Sequence, residues 1–237
     1  MGDQKKPEYK RVLLKLSGEA LSGDGEILNH TYIAEVCSVI AECIKDEVQF
    51  GIVVGAGNIW RGKKGGGMER SLADHMGMLA TTINALAIKS AFNSIGVDAR
   101  VLSAVQMEGF AETYDRDLAV RHMEKGRPVI FACGMGVPFF STDTASVLRG
   151  AEICADAILM AKNIDALYTD DPRKNPDAKK LSNVDYDYIL SNHLSAIDAT
   201  AASFAQENHM TIHMFGLDKS ENIRRVVMGE SLGTIVK

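Results

Sequence analysis

Short aliphatic runs alternate regularly with stretches of helical periodicity along this chain, and that alternation constrains its fold more than any single motif. The runs are RVLLKLSG (11–18), FGIVVGAG (50–57), DARVLSA (98–104), RPVIFACG (127–134), DAILMAK (156–162) and MTIHMFG (210–216). They are apolar on consecutive positions and several close on glycine, the pattern of strands buried on both faces. Between them Ile33, Val36, Cys37, Ile40 and Ile44 recur at helical spacing. Further helices are predicted over 71–94, 115–124, 144–155, 198–208 and 220–228.

Parallel strands need crossover connections, and helices are the usual way to make them. The alternation therefore predicts an α/β fold, a three-layer α-β-α sandwich around a mainly parallel sheet. A length of 237 residues with 46% hydrophobic and 24% charged side chains suits a large core, in one α/β domain or two small ones. The stretch 163–192 breaks the rhythm, and its prolines, aspartates and lysines mark a loop or hairpin over a second lobe. Sheets of this kind collect ligands at the carboxyl ends of their strands, so the loops there carry the functional argument.

Composition removes several function classes. The net charge is -5 and the Lys and Arg residues are scattered, which does not favour a nucleic-acid face. No run approaches the roughly 18 apolar residues of a membrane span, and the N-terminus lacks the apolar core of a secretion signal. MGDQKK begins like a myristoylation signal, but Lys6 stands where Ser or Thr is required. Cys37, Cys43, Cys133 and Cys154 lie in apolar surroundings without a C-x-x-C pair, which predicts small buried hydrophobes in a reducing compartment, the cytoplasm.

Four loops can carry chemistry. Lys15 interrupts an apolar strand two residues before Ser17-Gly18; it is either a snorkelling lysine on an edge strand or a phosphate clamp, with the nearby N–H groups forming an anion nest. VVGAGNIWRGKKGGGMER (53–70) is rich in glycine and follows a strand, so backbone approach and the planar fork of Arg61 suit a phosphate; simple flexibility is the bland alternative. Gly57–Lys63 spells G-x-x-x-x-G-K, but Lys64 replaces the magnesium-binding hydroxyl, and Trp60 occupies the last glycine of a G-x-G-x-x-G turn. Asp74, near the start of the long helix, is either a first-turn acid favoured by the helix dipole or an acceptor for sugar hydroxyls. GMGVPFFSTDTAS (134–146) places Gly134, Met135 and Gly136 at a strand end, where N–H groups can meet an anion. There Phe139 and Phe140 either pack into the core or face a flat base, and Thr142 or Asp143 caps the following helix. No G-x-S-x-G elbow or H-E-x-x-H helix is present, which argues against hydrolase and metalloprotease chemistry.

Taken together, KRVLLKLSGEAL (10–21), GNIWRG (57–62), DHMGMLAT (74–81), PFFSTDTA (138–145), DALYTDDP (165–172) and RRVVMGESLGTIV (224–236) resemble the bacterial uridylate kinases (UMP kinases) of the amino acid kinase superfamily over nearly the whole chain. The resemblance implies an amino acid kinase-like fold and transfer of the ATP γ-phosphate to UMP, giving UDP and ADP, with Mg²⁺ accompanying ATP. It implies an acceptor lobe over 1–155 and a donor lobe over 156–237. By that resemblance Lys15, Leu16, Ser17 and Gly18 cradle the ATP phosphates, and Gly57 and Asn58 line the junction of donor and acceptor. Arg61 holds acceptor phosphate or transferring oxygens, and Asp74 holds the ribose. Ala56, Met135, Gly136, Val137, Pro138, Phe139, Phe140, Ser141 and Thr142 bound the acceptor. Tyr168 and Asp171 contact ATP, Lys162 lies near the adenine edge, and Asp143 orients Lys15 or a magnesium-bound water. Lys15, Arg61 and Asp143 are thus the implied catalytic residues, and the metal's direct ligands are unassigned. A homohexamer with GTP and UTP as effectors is also implied.

The chain departs from the family pattern at four positions. Ala56 stands for a glycine, Met135 for a threonine, Val137 for an asparagine and, relative to some members, Asn163 for a lysine. Changes at 135 and 137 bear on uracil recognition more than on the reaction type. Rival readings are a kinase for a carboxylate or carbamate acceptor and a nucleotide sensor without catalysis. An NAD-dependent oxidoreductase lacks its glycine-rich turn.

Overall fold

The computed structural model describes residues 6–23, 25–61, 67–170, 172, 174–192, 194 and 196–237. Among them the main sheet has nine strands: β1 (Arg11–Leu16), β2 (Gln49–Val54), β3 (Arg100–Ser103), β4 (Glu112–Thr113), β5 (Val129–Ala132), β6 (Ala157–Lys162), β9 (Asn183–Val184), β10 (Ile212–Gly216) and β11 (Thr234–Val236). A separate hairpin pairs β7 (Leu167–Tyr168) antiparallel with β8 (Lys180–Leu181). The main-sheet order is β4-β3-β5-β2-β1-β6-β10-β11-β9, and only the β10–β11 pair is antiparallel. The six aliphatic runs are β1, β2, β3, β5, β6 and β10.

The helices are α1 (His30–Lys45), α2 (Arg70–Ser94), α3 (Arg116–Met123), α4 (Thr142–Glu152), α5 (Tyr186–Ser191), α6 (Ala199–Glu207) and α7 (Asn222–Val227). Because strand side chains alternate between faces, the core divides in two. Val12, Leu14 and Leu16 of β1 pack with α1, α2 and α7 on one face, while Leu13 packs with α3, α4, α5 and α6 on the other. Two helical layers thus enclose the mainly parallel sheet, the expected sandwich.

Several expectations are corrected. β1 lies between β2 and β6, so Lys15 is on a central strand and not a snorkelling residue at an edge. The stretch 163–192 contains the β7–β8 hairpin but also β9 and α5, whose period was too short to read. Helix α4 is capped by Ser141, whose Oγ accepts from the N–H groups of Asp143 and Thr144, rather than by Thr142 or Asp143. Cys37, Cys43 and Cys133 are buried, but Cys154 is exposed beyond the end of α4 with a positive φ of 53°. The Phe pair is not core: Phe139 and Phe140 are 66% and 50% exposed.

Candidate active site

The two-residue alternation that builds the core also assembles a charged centre. Lys15 follows Leu13 and Lys162 follows Met160 and Ile158, so both lysines project on the α4 side of the sheet. Register pairs Lys15 with Met160, which places the lysines near the ends of adjacent parallel strands. Asp143, in the first turn of α4, lies 3.0 Å from Lys15 Nζ and 3.2 Å from Lys162 Nζ. All three are largely buried, with side-chain exposures of 9% for Lys15, 14% for Asp143 and 17% for Lys162. Burial alone would raise the Asp143 pKa, but the two ammonium groups outweigh it and hold the carboxyl below its ordinary range. Burial pushes Lys162 down, and the charge of Lys15 adds to that push against the pull of Asp143. One carboxylate between two ammonium groups leaves a centre with a net positive charge, which suits phosphate oxygens.

The loops after β1 and β2 approach unusually closely. A Cβ on Gly18 would lie 2.6 Å from the Gly57 nitrogen and 2.8 Å from the Gly55 oxygen. Gly18 is therefore required by close backbone approach. Ser17 accepts from the Ala20 N–H and starts the short 3-10 turn Gly18–Leu21. Buried Asn84 of α2 donates to the Gly55 carbonyl at 2.7 Å and exchanges amide hydrogen bonds with Asn58 at 2.8 and 3.0 Å. Leu16 is buried beneath this loop pair.

Three contiguous cavities follow the strand order. The first lies over β5 and β2 and includes Ala56, Asp74, Met135, Val137, Phe140 and Thr142. The second lies over β2, β1 and β6 and includes Lys15, Ser17, Gly18, Gly57, Thr142 and Lys162. Ala56 and Thr142 border both, so the two chambers meet there. The third lies over β6 and β10, around Lys162, Asn163, Asp165, Gly216 and Asp218, and shares Lys162 and Asn163 with the second. The row of cavities thus sits at the carboxyl edge of the sheet, where the topology predicts ligands to gather.

Some expected residues lie at the rim. Arg61 is half-exposed; its guanidinium pairs with Glu19, which also lines the second chamber, and its Nε donates to the Gly57 carbonyl at 3.4 Å. Asp74 Oδ2 accepts from Arg70 Nε at 2.8 Å and from the Phe139 N–H at 2.9 Å. Slight burial raises the Asp74 pKa, but these bonds and the Arg70 charge hold it below its ordinary range. Gly136 turns the acceptor loop with a φ of 80°, where a Cβ would lie 3.0 Å from the Ala104 carbonyl oxygen. Pro138 precedes the Phe pair in the same loop, which Ser141 ends by capping α4. Tyr168 donates to Asp165 at 2.9 Å beside the third chamber. Asp171 and the GGG tract at 65–67, apart from Gly67, lie outside the described residues.

Glu19, Arg70 and Asn84 are not signalled by any motif, and Lys162, which borders the second and third chambers, also directs its ammonium to Asp143. A buried Asn in an Ala- and Leu-rich helix was a readable signal for Asn84. Asp198 caps α6, accepting from the Ala201 N–H at 2.8 Å. It also accepts from Thr144 and Ser141, tying α6 to the start of α4. Among the described residues no three His, Cys, Asp or Glu side chains are grouped to hold a metal.

Residues 10–216 match the model of the amino acid kinase family. A UMP kinase from Bacillus anthracis is 35% identical with a TM-score of 0.93, the match covering 97% of this chain and 96% of that one. A UMP kinase from Ureaplasma parvum is also 35% identical, with a TM-score of 0.91 and coverage of 96% and 98%. A uridylate kinase from Archaeoglobus fulgidus, at 23% identity and a TM-score of 0.73, shares the fold over 95% of this chain and 99% of its own. With its sheet order, its charged centre at the strand ends and a family match over most of its length, this chain belongs to the amino acid kinase family.

Proposed function

We propose that the protein transfers the γ-phosphate of ATP to UMP, giving UDP and ADP in pyrimidine nucleotide synthesis. The observation that carries this reading is the junction at Ala56 and Thr142. There a chamber bordered by the Asp74 carboxylate, read here as the acceptor for ribose hydroxyls, opens onto the Lys15–Asp143–Lys162 centre. A carboxylate or carbamate acceptor would have no use for that acid. The row of chambers supports an acceptor half over 1–155 and a donor half over 156–237 within one continuous sheet.

In this reading UMP occupies the first chamber, with Ala56, Met135, Gly136, Val137, Pro138, Phe139, Phe140, Ser141 and Thr142 around it. Ser141 Oγ already caps α4, so base and phosphate recognition there falls to main-chain groups and Thr142. The ATP phosphates lie along Lys15, Leu16, Ser17, Gly18 and Gly57, with the nucleoside toward Lys162, Tyr168 and Asp171. An oxygen of the UMP phosphate attacks the γ-phosphorus, the bond to the β,γ-bridging oxygen breaks, and ADP leaves. The attacking oxygen is already anionic, so no general base is needed; alignment and charge neutralisation do the work. Lys15 supplies fixed positive charge, Asp143 holds Lys15 and Lys162 in place, and Arg61 exchanges Glu19 for phosphate oxygens. The donor set suits a magnesium ion carried on the nucleotide phosphates, since both lysines engage the Asp143 carboxylate. When bound, that ion would neutralise charge on the phosphate oxygens.

The same reading takes the enzyme as a cytoplasmic homohexamer with GTP and UTP as effectors. The exposed Leu72, Leu79 and Ile83 along one side of α2 support self-association. No helix among the described residues is long and apolar enough to cross a membrane. The experiment is ADP release from ATP and Mg²⁺ with UMP, CMP, dUMP, GMP, carbamate or no acceptor, beside Lys15→Ala. UMP-dependent turnover that falls by orders of magnitude in the variant is expected. Turnover only with another acceptor would overturn the substrate, and nucleotide binding without turnover would favour the sensor.

A further inference from the structure

We infer that Arg70 is a positioning residue that latches the 134–141 loop over the acceptor chamber, through Asp74 and Phe139. The inference rests on the reading of that chamber as the UMP site. Arg70 and Asp74 are four residues apart and share one face of α2. The Arg70 Nε donates to Asp74 Oδ2 at 2.8 Å, and the same oxygen receives the Phe139 N–H at 2.9 Å. The Arg70 guanidinium also stands 5.6 Å from the centre of the Phe139 ring. One side chain thus holds both ends of a bridge from the helix to the loop.

The loop needs such a tie. Phe139 has a φ of 73°, a region that disfavours a bulky side chain, and the residue is 66% exposed, so neither local preference nor core packing fixes it. Gly134 and Gly136 also have positive φ, at 56° and 80°, which leaves the loop few intrinsic constraints. Asp74 and Phe140 both line the chamber, so a shift of this bridge moves the chamber wall. Among the described residues Asp74 Oδ1 has no hydrogen-bond partner and stays open to a ligand hydroxyl. Arg70 therefore fixes the carboxylate oxygen that holds the loop, Oδ2.

The test compares wild type, Arg70→Ala and Arg70→Lys in two ways. Steady-state kinetics should show the KM for UMP raised about tenfold in Arg70→Ala, the worth of one charge-assisted hydrogen bond, with the KM for ATP within twofold of wild type. Arg70→Lys, which keeps the charge without the planar fork, should fall between them. Chymotrypsin should cleave after Phe139 and Phe140 severalfold faster in Arg70→Ala, in the absence of any nucleotide. An unchanged KM for UMP, or KM values for UMP and ATP that rise together, would overturn the inference. If the wild-type protein does not phosphorylate UMP, the functional reading fails on its own. The cleavage rate then decides the latch, with acceleration upholding it and an unchanged rate overturning it.

Discussion

Replacing Asp143 by Asn removes the one carboxylate that two buried ammonium groups share. The Lys15 and Lys162 contacts are 3.0 and 3.2 Å long, and the groups involved are at most 17% exposed. A unit-charge pair at 3 Å with an effective dielectric constant near 20 attracts by about 5 kcal/mol, and removing one partner of a buried pair costs about 3–5 kcal/mol. The variant has one way to relax, which is to discharge a lysine. Doing so at pH 7, against an ordinary lysine value of 10.5, costs about 5 kcal/mol, so the two routes give similar limits. The expected loss of unfolding free energy is therefore about 3–5 kcal/mol at pH 7. The loss should shrink as pH rises toward 10. In the variant the folded state favours a neutral lysine more than the unfolded chain does, so the unfolded chain binds the extra proton and stability increases with pH. The wild-type Asp143 contribution has the opposite range: its lowered folded pKa makes it complete above the ordinary 3.8 and lost as pH falls through the folded value. Urea denaturation of both proteins at pH 7 and pH 9.5, without nucleotide, measures this. A loss below about 1 kcal/mol, the scale of a surface pair, or a loss that does not change with pH, would refute the reasoning.

Two further outcomes follow from local geometry. Gly18→Ala places a methyl 2.5 Å from Asn58 Oδ1 and 2.6 Å from the Gly57 nitrogen, so the loops after β1 and β2 must part. A loss of about 1–3 kcal/mol in urea denaturation is expected, with turnover falling further than stability, and a wild-type denaturation midpoint would contradict the required close approach. His213 is buried on β10, with Nε2 2.5 Å from the Leu232 carbonyl oxygen and, among the described residues, no partner at Nδ1. Burial holds its pKa below the ordinary 6.5, so the unfolded chain takes up the proton first and stability falls as pH drops below that value. His213→Gln should flatten the fall by up to about 1.4 kcal/mol per pH unit, and parallel wild-type and variant curves between pH 7 and pH 5 would contradict it.

The sheet was legible because consecutive apolar residues with glycine at their ends can scarcely be satisfied except in buried parallel strands. β4, β7, β8 and β9 span two residues each, and α5 spans six, too few for any period to register. The charged centre was half legible. Lys15 stood out as a charge in an apolar run, but its pairing with Asp143 and Lys162 depends on strand register and on the side of the sheet that α4 covers. Ser141, Thr142 and Asp143 offer the same capping chemistry in sequence, and only the backbone turn distinguishes Ser141 as the cap. Arg70 and Glu19 carry no sequence signal that sets them apart from other charged residues. Their partners, Asp74 and Arg61, are respectively four and 42 residues away, and no local pattern signals the second pair.

The central claim is that the chamber bordered by Asp74 and the chamber bordered by Lys15 hold the two reactants of one phosphoryl transfer. The most direct measurement mixes the protein with Mg²⁺, ATP labelled in its γ-phosphate and UMP, then identifies the labelled product. The account predicts label in the β-phosphate of UDP, formed orders of magnitude more slowly with Lys15→Ala. Label confined to ATP or released as inorganic phosphate, with both nucleotides bound, would contradict it.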